Sequence, residues 1–138
     1  MGYGGYLIKV GTYTVPFDYI LSSTYKPNVK GQDLDSYNDE NGVLHRTPLK
    51  NKVIKIEWET PQMNEHKLRQ FADRIMSEYI SGVAKDCMVT AYIPEYGKYV
   101  TMKCYVPDID FQVSYADEKD VEYDSFRIAF IGYGGEVV

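Results

Sequence analysis

Helical periodicity appears in one stretch of this chain, residues 64–81, and that fact limits the available folds more than any other. Leu68, Phe71, Ala72, Ile75 and Tyr79 recur at three- and four-residue steps and form one apolar stripe. Lys67, Arg69, Asp73, Arg74 and Glu78 fall largely off it. Asn64 is a good N-cap, because its side chain can accept from the free N–H groups of the first turn, and Glu65 suits the positive end of the helix dipole. Gly82 is the expected stop. A helix with one apolar stripe covers one sheet face or one end of a sandwich.

The other apolar runs are short and bounded by Gly, Pro or Asn, which fits strands. Tyr6 to Val10 and Thr12 to Phe17 read as two strands, the second confined to a sheet edge or its own end by Pro16. Residues 18–31 read as an extended connection, given Pro27, Asn28 and Gly31. Residues 32–57 read as a long hairpin arm. Asn41-Gly42 tolerates positive φ at both centres of a type I′ turn. A two-residue loop there places Glu40 opposite Val43, Tyr37 opposite Arg46 and Asp33 opposite Lys50, acids on one arm facing bases on the other. Val53 to Glu59 alternates, with Ile54, Ile56 and Trp58 on the core phase.

Cys87 to Ile93 and Tyr99 to Val106 flank Pro94-Glu95-Tyr96-Gly97, a compact turn composition. Centring the hairpin there puts Val89 opposite Met102 and Cys87 opposite Cys104. Asp108 to Tyr115 and Tyr123 to Ile131 read as two more strands, joined by the acidic stretch 116–120. The expected fold is α+β, mainly β: a β-sandwich or rolled antiparallel sheet with one amphipathic helix and a long protruding hairpin. At 138 residues a single domain, 1–138, is expected.

Composition narrows the chemistry. Fourteen Tyr in 138 residues suit strands and protein contact surface. The formal net charge of −5 argues against wrapping nucleic acid by phosphate neutralisation. No apolar run is long enough to cross a membrane, and the N-terminus lacks the basic start and apolar core of an export signal. His45, His66, Cys87 and Cys104 have no short ligand spacing, so no metal is expected, and mid-strand thiols are poor nucleophiles. Asp108 and Asp110 share one face of a strand without a partner that would make them acid and base. The acidic run at 117–124 lacks the glycine and spacing of an EF-hand. Gly2, Gly4 and Gly5 have no strand before them and no helix after, as a phosphate loop would need. No cofactor and no catalytic residue are expected. What remains is a subunit that works by contact.

Taken in order, Ile8-Lys9-Val10-Gly11, Val15-Pro16-Phe17, the polar hairpin carrying His45-Arg46, the strand ending Ile56-Glu57-Trp58, the amphipathic helix, the aromatic strand around Tyr105 and Phe126-Arg127-Ile128-Ala129-Phe130 resemble a class of short proteins encoded among tail genes of phages and prophages of Gram-positive bacteria. The resemblance implies a virion structural protein of the tail, with the β-sandwich-plus-helix fold of tail tube, tail-completion and baseplate ring subunits. It implies partners: copies of itself in a ring, commonly six-fold, and neighbouring tail proteins, with no sequence-specific nucleic acid and no membrane. The place implied is the virion tail, assembled in the host bacterial cytoplasm. In such a ring a long hairpin pairs with the next subunit, which covers faces it cannot bury alone. The candidate subunit-interface residues are Tyr37, Asn41, Gly42, Leu44, His45 and Arg46 on the arm and Tyr3, Tyr6 and Tyr133 at the ends. The alternative class is a monomeric ligand-binding module or small enzyme on the sheet face opposite the helix, with Asp108 or Asp110 as polar anchors.

Overall fold

A computed structural model describes residues 2–33, 37–45 and 48–134, with the backbone alone for 31–33, 37, 45 and 48–52. In chain order the elements are β1 (Ile8–Val10), β2 (Tyr13–Thr14), β3 (Lys26–Asp33), β4 (Tyr37–Asn38), β5 (Leu44–His45), β6 (Pro48–Glu59), β7 (Met63–Asn64), α1 (Glu65–Ser77), β8 (Asp86–Ile93), β9 (Lys98–Tyr105), β10 (Val113–Ala116), β11 (Val121–Tyr123) and β12 (Arg127–Gly132). Two single turns of 3₁₀-helix, Phe17–Tyr19 and Ser22–Thr24, lead into β3. The fold is α+β and mainly β, with antiparallel sheets and one helix.

Seven strands form one antiparallel sheet in the order β2-β1-β8-β9-β12-β6-β3, and β10-β11-β7 form a second, smaller one. The large sheet has two leaves, which meet where β9 and β12 pair over Tyr105↔Ile131 and Cys104↔Gly132. It rolls far enough for the Tyr25 hydroxyl, just before β3, to donate to the Leu7 carbonyl beside β1 at 3.3 Å. Inside lie Ile8, Val10, Ile54, Ile56, Trp58, Val89, Ala91, Ile93, Ile128 and Phe130, all buried. Ile54, Ile56 and Trp58 take the core phase of β6 that their alternation predicts, while Lys55 and Glu57 are half-buried and Glu59 is exposed.

The helix closes the core on one side. Asn64 caps it, its side chain accepting from the Lys67 N–H at 2.9 Å. Leu68, Phe71 and Ile75 are its buried stripe, with Phe71 stacked on Tyr19 at 4.6 Å. The helix ends at Ser77, before Gly82: the Glu78 N–H already bonds back to the Ile75 carbonyl, and the chain turns through Tyr79. Beyond it, Lys85 holds φ of 54° to bring the chain into β8, where glycine was the residue to expect.

Two hairpins show how turn chemistry sets register. At β8–β9 the pairs are Cys87↔Cys104, Val89↔Met102 and Ile93↔Lys98, the register read from the Pro94–Gly97 turn, with Gly97 at φ of 62°. The arm tip differs from the sequence reading. Tyr37 pairs with His45 and Asn38 with Leu44, and Asp33 stands opposite Pro48 across a register shift. The loop has three residues, Glu40-Asn41-Gly42, because Gly42 alone takes positive φ, 79°. Three further readings change, the first being that Asp108 to Tyr115 is strand only from Val113, with β10 ending at Ala116. Lys26–Asp33 is a strand, not a connection, and Tyr123 to Ile131 is broken at Asp124-Ser125 into β11 and β12.

Candidate interaction surface

The arm is the outer edge of the large sheet. β6 bonds to both β12 and β3 as far as Lys55, which stands opposite Ile131, and further out it pairs with β3. At the tip the Asp39 N–H donates to the Val43 carbonyl at 2.8 Å, and the Gly42 N–H donates to the Asp39 carbonyl at 2.9 Å. One Asp39 carboxylate oxygen accepts from the N–H groups of Asn41 and Val43, both at 3.0 Å. Asp39 thus satisfies the loop from within. Asn41 and Gly42 face solvent, and Val43 and Leu44 are 54% and 55% exposed. The backbones of Tyr37 and His45 pair across β4 and β5, and Arg46 lies outside the described residues.

The terminal tyrosines do not join this tip in one patch. Tyr3 meets Tyr92 edge-on at 5.6 Å, and Tyr6 stacks on Tyr99 at 4.5 Å. The Tyr99 hydroxyl donates to the Tyr6 carbonyl and accepts from the Gly4 N–H, both at 2.7 Å. Tyr133 tilts against Tyr105 at 5.5 Å, with the Lys103 ammonium 5.3 Å from its ring. Tyr99 and Tyr105 stand at opposite ends of β9, about 20 Å apart at the rise of a strand. Tyr3 and Tyr6 therefore mark one end of the β8–β9 hairpin and Tyr133 the other. Sequence reasoning passed over Tyr92 and Tyr99, although the register that faces Cys87 with Cys104 also faces these two.

The residues weighed for chemistry stay apart. Cys87 and Cys104 are neighbours with free, buried thiols, pushed up by burial to about 11 and about 12. His66 contacts Gln70 on the exposed side of α1, and Asp108 meets Lys85 at 3.5 Å. Among the described residues no three of His, Cys, Asp and Glu are placed to hold a metal. Asp117 is spent on its own loop, accepting from the N–H groups of Lys119 and Asp120 and from the Tyr115 hydroxyl. An apolar groove of about 500 Å³ runs between α1 and the segment before β10, lined by Leu68, Ala72, Ile75, Met76, Ile109 and Phe111.

Fold and surface together define a mainly β, single-helix protein with a projecting hairpin. The same fold occurs in a chain of the structure described as the tail of an empty gene transfer agent particle with C6 symmetry, at 14% identity and a TM-score of 0.55, covering 99% of this chain and 98% of that one. It occurs again in a chain of the virion of a native gene transfer agent particle, at 12% identity and a TM-score of 0.55, with 99% of each chain covered. A search of curated proteins finds no match. The model of the family of unknown function DUF6711 matches residues 1–133, and the chain belongs to that family.

Proposed function

We propose that this protein is a structural subunit of a phage-like tail, acting by contact between subunits and turning over no substrate. One observation carries the reading: its fold follows, over nearly its whole length, a chain found in an assembled gene transfer agent tail. The exposed arm tip supports it, since Val43 and Leu44 stand on a hydrogen-bonded turn and, among the described residues, more than half of each is uncovered. So do the buried, protonated thiols, which carry no reactivity to the surface. The finer reading is a ring-forming tail tube, baseplate or tail-completion subunit, a homo-oligomer in the virion, built in the host cytoplasm. Its contacts are copies of itself and adjacent tail proteins. The arm residues Tyr37, Asn41, Gly42, Leu44, His45 and Arg46 carry the contact between copies, and Tyr3, Tyr6 and Tyr133 serve two further, separate contacts.

Size-exclusion chromatography with negative-stain microscopy tests this. Rings or short tubes are expected from the purified chain. Deleting residues 36–46 should leave the far-ultraviolet circular dichroism of helix and sheet unchanged and abolish assembly. A discrete monomer at every concentration and salt condition would overturn the reading. The groove beside α1 favours a second reading, a monomeric ligand-binding module, which that monomer would support.

A further inference from the structure

Every residue from Asp110 to Asp120 is exposed. Within that stretch Phe111, Val113 and Tyr115 alternate with Gln112 and Ser114, but the ladder shifts register between Val113, opposite Tyr123, and Tyr115, opposite Glu122, so these two side chains leave opposite faces of the sheet. The Phe111, Val113 and Tyr115 side chains are 48%, 53% and 54% exposed. Val113 and Tyr115 lie in β10, which among the described residues ends the small sheet, bonded to β11 alone, and Phe111 lies just before it. The strand holds no Lys and no Pro, two of the devices that keep a free edge from pairing, and its one irregularity is the bulge at Ser114. The approach to it is firmly placed, because the Phe111 ring packs on Phe126 at 4.8 Å. An edge strand bonded on one side alone, with half-exposed apolar side chains on it, can take an added strand.

Charge indicates which strand. Residues 108–124 hold seven acids and one base, Lys119. The other long free edge of the molecule, β3, is basic: Lys26 and Lys30 lie exposed on one face, and Lys55 of β6 stands on that face opposite Asn28. The acid beside them, Glu57, is already paired with Arg127. Past Pro27, Asn28 to Gly31 offers four residues, alternate ones with N–H and C=O turned off the free edge, against the four residues of β10. We propose that edge strand β3 of one copy pairs with β10 of a second copy, head to tail, joining the large sheet of one to the small sheet of the next. This contact rests on the tail-subunit reading and names the surfaces through which it is built. A head-to-tail contact closes into a ring or runs on as a filament, whereas a two-fold contact stops at a dimer.

The test uses charge reversal in the full chain. One variant carries Asp110→Lys, Glu118→Lys and Glu122→Lys; a second carries Lys26→Glu, Lys30→Glu and Lys55→Glu; a third carries all six. Circular dichroism and thermal melting confirm folding, and sedimentation velocity reads assembly. Either half-reversed variant alone should need roughly 10- to 100-fold more protein to assemble, since several attractions become repulsions. An equal mixture of the two should assemble, and so should the sixfold variant. If wild type assembles and both half-reversed variants do so equally well, this contact is wrong and the tail reading stands. Failure of the mixture and of the folded sixfold variant, with wild type assembling, also rejects it. If wild type stays monomeric throughout, both the contact and the tail reading fall.

Discussion

The indole N–H of Trp58 donates to the backbone carbonyl of Tyr19 at 2.9 Å, joining the end of β6 to the 3₁₀ turn that faces the helix. Both residues are buried, and the Trp58 ring lies between Tyr25 and Phe130 at 5.7 and 5.8 Å. Trp58→Phe keeps an aromatic ring but orphans that carbonyl and opens a void. A loss of about 1–3 kcal/mol in urea unfolding is expected, with the native near-ultraviolet spectrum changed. A loss within error would show that the bond contributes nothing net.

Asn64 is the one side-chain cap of α1. Asn64→Ala removes the acceptor of the Lys67 N–H and should cost about 1 kcal/mol. Asn64→Asp should restore most of it, because aspartate caps equally well and suits the dipole. Equal losses for the two variants would point to packing at Met63 and Asn64 as the cause.

Thr12 donates to Glu78 twice, from its hydroxyl and from its backbone N–H, the latter at 3.0 Å. These bonds, helped by Arg74 and opposed by burial, hold the Glu78 carboxyl below its ordinary value. A value lowered in the folded state stabilises above the unfolded pKa, about 4.3, and that contribution fades as pH falls through the folded value. Glu78→Gln should therefore lower the melting temperature at neutral pH and fall less steeply than wild type in acid. Parallel curves for the two proteins would refute the assignment. Part of the acid slope should survive, since Asp86 is also lowered: burial works to raise it, but hydrogen bonds from Lys103 and the Ser81 N–H outweigh that.

The thiols of Cys87 and Cys104 should resist a thiol-specific disulfide reagent at pH 8, because both are buried and protonated there. Denaturant should release both at once. Rapid labelling of one thiol in the folded protein would show that the β8–β9 hairpin opens locally.

Turns decided how much of this fold was readable. Pro94 to Gly97 admits one compact loop, so the β8–β9 register followed from it pair by pair. Asn41-Gly42 was ambiguous, because the sequence does not reveal that the Asp39 carboxylate holds the N–H groups of Asn41 and Val43 and so selects a three-residue loop. Lys85 at positive φ carried no local mark, since the residue there is neither Gly nor Asn. The stretch around Phe111 alternates as a strand does, yet the bulge that parts Val113 from Tyr115 leaves no mark in the sequence, so the strand was legible and its faces were not. The arm tip was legible as exposed and polar. The split of Tyr3 and Tyr6 from Tyr133 needed the length of β9, which only the assembled sheet shows.

Among the described residues two register pairs join β9 to β12, continued by the Tyr133 N–H donating to the Lys103 carbonyl at 2.9 Å, against eight pairs between β8 and β9. Tension drawn outward along the arm acts on β6 and β12, and it crosses to the other leaf over that short seam. A ladder this short resists less than a long one, so under load the two leaves would change their angle at the seam first, each keeping its own ladder. A wall made of such units would flex between neighbouring halves before any ladder tore.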